Sequence, residues 1–194
     1  MADQVLCAAC SDLIEPVASA LLRVTRTEKM DVVAIGAYRD PLKFLILAKS
    51  WGDRTAATQL ATLIWHKTTL QNRSFDLIVP VPLHWRRQLT RGFNQAELMA
   101  QRLSALSGKP VVKLVKRVQS TQFQSALYGA AHRKANVHQV FALDERLIDA
   151  TRDKHILLID DLMTTGATLQ EIGKVLLKAK PLSITAAVGA RVCF

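Results

Sequence analysis

The stretch from His155 to Leu169, HILLIDDLMTTGATL, sets two adjacent carboxylates, Asp160 and Asp161, between an apolar run and a turn of threonines and glycine. Ionised carboxylates only accept hydrogen bonds, so the pair suits vicinal hydroxyls or a hard cation. Thr164, Thr165, Gly166, Ala167 and Thr168 follow, all small or hydroxylated, and Leu169, Ile172, Leu176 and Leu177 continue at helical spacing. The free amides of a helix N-terminus and the Thr hydroxyls can surround a phosphate, and Gly166 lets the backbone approach it closely. One segment thus offers diol acceptors beside a phosphate cradle, which are the needs of a phosphorylated sugar. Asp and Thr also serve turns and caps on structural grounds alone. Two adjacent carboxylates repel each other, however, and a turn requires no such pair.

A second place for chemistry is Ile78 to Gln95, IVPVPLHWRRQLTRGFNQ. The strand there stops at Val79-Pro80-Val81-Pro82, because proline lacks an amide donor and biases the preceding residue toward extended geometry. The loop beyond, with unpaired amides and with Arg86, Arg87 and Arg91 nearby, can hold a diphosphate through backbone donors and guanidinium forks.

These segments need a scaffold that brings strand ends together. His155 to Ile159 is apolar and bounded by charge, the pattern of a strand buried on both faces of a parallel sheet. Val32 to Tyr38, Phe75 to Val81, Val111 to Val115, Phe141 to Leu143 and Ile184 to Val192 read as further strands. Pro41 to Ser50, Thr55 to Leu70 and Asn94 to Ser107 read as helices, the last ended by Gly108-Lys109-Pro110. Strands alternating with helices predict an α/β fold with a mostly parallel sheet flanked by helices. In such sheets ligands bind beyond the carboxyl ends of strands, where Asp160 and Asp161 are expected. Gln119 to Gln139 carries no sustained period and reads as a mobile excursion.

The formal net charge is +10 over 194 residues. Ten basic residues against the single acid Glu97 lie between Pro82 and Val140, so the surplus is regional. A polyanion is the natural partner, and ten cations exceed what one small ligand uses. Nucleic acid is therefore a second candidate, with Arg86, Arg87, Lys113, Lys116 and Arg117 as contacts and Trp85, Phe93, Phe123 and Tyr128 as aromatics that could stack on bases. The length fits one domain of ordinary size. No apolar run approaches the ~20 residues that span a bilayer, so no membrane insertion is expected and the cytoplasm is the default location.

The segment Asp160 to Thr168 resembles the phosphoribosyl pyrophosphate (PRPP) motif of the type I phosphoribosyltransferases. The resemblance implies that Asp160 and Asp161 hold the ribose hydroxyls and act in catalysis, and that Thr164, Thr165, Gly166, Ala167 and Thr168 hold the 5′-phosphate. Val79 to Leu83 and Arg91 to Gln95 resemble the VPVPL and RGFNQ stretches of the ComF family (competence protein F, with its relative GntX), a branch of that fold. Tyr38 to Asp53, Gln119 to Phe141 and Gly189 to Val192 extend the similarity over nearly the whole chain. The implied pyrophosphate contacts are Val81, Pro82, Leu83, Arg91 and Arg133, with Mg²⁺ accompanying PRPP and Gln119 to Gln139 as a lid. A link to DNA uptake and natural competence, with competence-machinery partners, follows from the same resemblance, while the acceptor and any transfer activity stay open. A non-catalytic PRPP sensor and a competence factor that binds single-stranded DNA are the alternatives the resemblance allows.

ComF proteins generally begin with a four-cysteine zinc module, whereas this chain shows only Cys7-Ala-Ala-Cys10. A structural zinc needs four ligands. Either the first half of the knuckle lies upstream of Met1 or the site has been lost, and zinc binding by this chain is not expected. Residues 1–30 then form a remnant arm and 31–194 the phosphoribosyltransferase-like domain.

Overall fold

The structure is a computed structural model that describes residues 6–48, 54–83, 92–118 and 140–193. Its centre is a five-stranded sheet in the order β1-β2-β7-β6-β3. The strands are β1 (Ala20–Arg23), β2 (Lys29–Ala37), β3 (Leu77–Pro80), β6 (His155–Met163) and β7 (Ser183–Arg191). β2, β7, β6 and β3 are parallel, and only β1 runs antiparallel, hairpinned onto β2. A separate antiparallel pair joins β4 (Val115–Arg117) to β5 (Phe141–Leu143). The α-helices among the described residues are α1 (Ala8–Asp12), α2 (Leu42–Ala48), α3 (Arg54–Lys67), α4 (Gln95–Ser107), α5 (Ile148–Thr151) and α6 (Ala167–Leu176). The mixed α/β class with a mostly parallel sheet is as the sequence predicts.

Both faces of the sheet are covered, which is why its strands read as continuous apolar runs. On one face Leu60, Ala61 and Ile64 of α3 and Met99, Ala100 and Leu103 of α4 pack on Ile35, Ile78, Leu157 and Ile159. On the other, Leu169, Ile172 and Leu176 of α6, with Leu114, Val115 and Phe141, pack on Val32, Val79, Ile156, Leu158 and Val188.

Three elements differ from the sequence expectation. β6 does not stop at Ile159 but continues to Met163, because β7 runs beside it with Asp160 opposite Val188 and Leu162 opposite Ala190. Residues 20–23 are a sheet strand, formed where Val24 N–H donates to Glu28 O (2.9 Å) and Glu28 N–H to Thr25 Oγ1 (3.0 Å). Val111 makes one parallel bridge to Ile78, and the strand proper starts later, at Val115. Pro110 accepts from Ile78 N–H but has no N–H to extend that ladder. The excursion at Gln119 to Gln139 lies outside the described residues.

The N-terminal stretch is tied to α3. Leu6 is buried, its N–H donates to Gln59 Oε1 (2.9 Å) and its carbonyl accepts from Gln59 Nε2 (3.2 Å). Cys7 caps α1, its sulfur accepting from Cys10 N–H at 3.5 Å. That bond lowers the Cys7 thiol pKa, and the neighbouring Cys7 raises that of Cys10. Among the described residues no group of three or more His, Cys, Asp or Glu is placed to hold a metal.

The small sheet is anchored by Asp144. Its carboxylate, with 9% side-chain exposure, pairs with Lys116 Nζ at 2.7 Å and Arg146 Nη2 at 2.8 Å. Hydrogen bonds from Arg146 and then Lys116 hold it well below the usual carboxylate range. A depressed native pKa gives stability that is present above the unfolded value near 4 and lost as the pH falls toward the native one. Urea titrations at pH 7 and pH 3 will therefore show Asp144→Asn less stable than the parent at pH 7, with the gap narrowing at pH 3.

Candidate functional site

The carboxyl rim of the sheet is uneven, and backbone bonding shows where. β3 pairs with β6 as far as Pro80 opposite Ile159, and Val81 N–H still donates to Ile159 O at 2.9 Å. In a parallel ladder the next bond would run from Asp161 N–H to Val81 C=O. Side chains take both of its ends instead. Asp161 N–H donates to Asp160 Oδ1 at 2.9 Å, and Val81 C=O accepts from Asn94 Nδ2 at 3.0 Å. From this point β6 keeps β7 on one flank and, among the described residues, has no strand partner on the other, at the acidic pair.

Asp160 and Asp161 are half-buried there. Ile159 and Leu162 both pack into the core on the α3 and α4 side, so the period-two alternation of the strand breaks over the carboxylates between them. Gly189 of β7 permits this path. A Cβ on it would lie 2.8 Å from Asp161 O and 3.1 Å from Leu60 Cδ2, closer than packed atoms tolerate.

The turn after β6 has the form the sequence suggested. Thr164, Thr165, Ala167 and Thr168 are exposed, and Gly166 is buried. Gly166 has φ 79°, the left-handed region that favours glycine, and it starts α6 without a side-chain cap. Gln170 N–H donates to Gly166 O at 2.9 Å to close the first turn, and Ala167 N–H reaches Thr165 Oγ1 at 3.4 Å. A helix start without a side-chain cap, beside threonine hydroxyls, is a place where an anion satisfies amide donors. The hairpin supports this turn from behind. A Cβ on Gly166 would meet Leu22 Cδ1 at 2.8 Å, and Gln170 Nε2 donates to Arg23 O at 2.8 Å.

Val81, Pro82 and Leu83 reach the same rim. Val81 N–H is committed to Ile159 and Pro82 has none, so Leu83 carries the triad's uncommitted N–H among the described residues. Arg86, Arg87, Arg91 and Arg133 lie outside the described residues. Lys113, Lys116 and Arg117 cluster around β4, each beside a group of this chain. Lys113 pairs with Glu97, Lys116 with Asp144, and the Arg117 guanidinium lies 5.4 Å from the centre of the Phe141 ring. Phe93 is buried, with the Arg54 guanidinium 5.5 Å from its ring centre. A cavity of about 490 Å³ lined by Leu21, Arg73, His155 and Ser183 belongs to the opposite rim, where β6 and β7 begin.

Sequence reasoning missed Asn94, Gly189 and Leu22 as parts of the rim. An asparagine directly before a helical run was the available signal for the first, since it reads as an N-cap. Nothing local marks the other two.

The sequence profile described as Phosphoribosyl transferase domain matches residues 56–192. Competence protein F of Haemophilus influenzae is 38% identical over 154 residues, 76% of this chain and 66% of that protein. DNA utilization protein YhgH of Escherichia coli (strain K12) is 33% identical over the same length and shares. Competence protein ComFC of Bacillus subtilis is 35% identical over 114 residues, 56% of this chain and 42% of that protein. The chain belongs to the phosphoribosyl transferase domain family, in its competence protein F branch. It spans 66% or less of the length of these relatives. A solved structure of the allosteric regulatory enzyme of purine biosynthesis is also similar, at 14% identity and TM-score 0.48, over 70% of this chain and 25% of that one.

The close approach at Gly189 makes a direct prediction. Gly189→Ala must displace the Asp161 backbone or Leu60, and overpacking of this kind costs about 1–3 kcal/mol. Thermal unfolding will show a lowered Tm for that variant.

Proposed function

We propose that the chain binds PRPP at this rim and that the binding serves a role in DNA uptake or utilisation. One observation carries the first part. β6 runs without a break through the acidic pair into the Thr/Gly turn and the α6 start, directly beside the point where β3 drops away. The ribose hydroxyls would be held by Asp160 and Asp161, and the 5′-phosphate by residues 164–168. The diphosphate would lie toward Val81, Pro82 and Leu83, with Arg91 and Arg133 as further cations.

Two carboxylates suit Mg²⁺, which keeps most of its oxygen ligands from water and substrate phosphates. When bound it would neutralise charge on the diphosphate. The residues of this chain orient the ribose between its two anionic ends. As the bond from the anomeric carbon to pyrophosphate weakens, positive charge develops on the sugar ring, and the carboxylates favour that cation. In this reading the site supports transfer to an acceptor and serves equally for sensing PRPP without turnover.

Calorimetric titration with PRPP and Mg²⁺ tests the binding. The wild type is expected to give a saturable signal that is lost in the Asp160→Asn, Asp161→Asn double variant. No heat in the wild type would remove the reading.

The link to DNA rests on the relatives, which carry the names competence protein and DNA utilization protein, and on the regional basic surplus. Single-stranded DNA is the partner that chemistry suits. Its affinity should fall steeply between 50 and 200 mM salt, as counterion release requires. Fluorescence anisotropy with a labelled oligonucleotide will measure this, and binding that ignores salt would sink the DNA reading.

A further inference from the structure

The Asn94 side chain does two things at once. Its Oδ1 accepts from Ala96 N–H at 3.1 Å, capping α4, and its Nδ2 donates to Val81 O at 3.0 Å. Val81 is thereby fixed on both sides, by β6 through its N–H and by Asn94 through its carbonyl. A cap needs only the first of these contacts.

The second contact reaches further along the chain. The Val81 carbonyl lies in the same rigid plane as Pro82 N, because the peptide unit is planar. The Pro82 ring then locks φ near −65°. Between the Asn94 anchor and the N–H of Leu83 there is consequently one soft torsion, ψ of Pro82. Leu83 carries the uncommitted amide of this triad among the described residues. Asn94 therefore leaves that donor a single torsion through which to turn. It also donates to the Val81 carbonyl where the ladder to Asp161 N–H would continue, while Asp161 N–H goes to Asp160 Oδ1.

We propose that Asn94 is the positioning residue for the diphosphate half of the site, acting through Val81 and Pro82 on the Leu83 amide. The inference rests on the PRPP reading, from which it takes the identity of the anion. It separates the two ends of the ligand, since the Asn94 side chain bonds to Val81 and Ala96 and not to the turn at residues 164–168.

Asn94→Ser tests it, because serine is as good an N-cap yet is too short to hold the Val81 carbonyl as well. Pro82→Ala is a second variant that leaves the cap alone and frees the torsion Asn94 acts through. Calorimetry with inorganic pyrophosphate and Mg²⁺, and separately with ribose 5-phosphate, is run on the wild type and both variants, alongside thermal melts. We expect pyrophosphate affinity to fall about tenfold in each variant, the loss of one hydrogen bond to a charged group. Ribose 5-phosphate affinity should stay within about twofold, and the Tm of Asn94→Ser should stay close to the parent. Unchanged pyrophosphate binding in the variants would overturn the proposal, and so would equal loss of both ligands, which marks a merely structural role. A wild type that binds ribose 5-phosphate but not pyrophosphate also overturns it. A wild type that binds neither overturns the PRPP reading itself, and the inference with it.

Discussion

The hydrogen bond from Val81 N–H to Ile159 C=O is the last backbone bond between β3 and β6, and the rim is laid out from it. Up to that bond the parallel sheet is continuous and buried under helices on both faces. Beyond it, Pro82 cannot donate, and Pro82 and Leu83 belong to no strand. Among the described residues, β6 goes on to Met163 paired with β7 alone. A strand that loses one neighbour while keeping the other must satisfy its backbone by other means. Asp160 and Asn94 supply them, one carboxylate oxygen and one amide nitrogen standing in for the two halves of the missing bond. The carboxylate that the sequence marks as functional is thus also part of how the sheet ends.

Periodicity in the sequence was enough to find the helices that pack on the sheet and the run that becomes β6, because burial on both faces leaves an unbroken apolar signature. The Thr/Gly turn was legible for the same reason that it works. Gly166 needs a left-handed φ and a close neighbour, and few residue types permit both. The end of β6 was not legible. Charge at Asp160 and Asp161 looks like a strand boundary, whereas the boundary is set by pairing with Val188 and Ala190 on a strand later in the chain. The β1 hairpin was hidden by its turn. Thr25 Oγ1 closes it on Glu28 without the glycine or asparagine that hairpins usually advertise.

Charge was legible in amount more than in consequence. Counting by window gave the stretch between Pro82 and Val140 nearly all of the net charge. Folding brings carboxylates to it, and one of them lies outside the window. Asp144 follows β5 and binds Lys116 across the small sheet, and Glu97 reaches from the first turn of α4 to Lys113. A nucleic-acid surface built on β4 would have to compete with these pairs. Lys113 and Lys116 are 68% and 54% exposed at their side chains, so each can face a phosphate while its partner holds it in place.

The rim orders its chemistry in one direction. Beside β3 lie the Val81 anchor and the Leu83 amide, at the centre the two carboxylates, and beyond them the threonines and the start of α6. Donors therefore stand on either side of acceptors. A free diphosphate matches only one end of this order, and a neutral sugar matches only the middle. On the proposed PRPP reading, a ligand with anionic groups at both ends and hydroxyls between them would meet a complementary partner for each group, and none would have to shed its water against a like charge. Selectivity of this kind needs fixed spacing. The spacing is held by contacts without slack: Gly189 against Asp161 on one side, Leu22 against Gly166 on the other, and Asn94 across the gap where β3 ends.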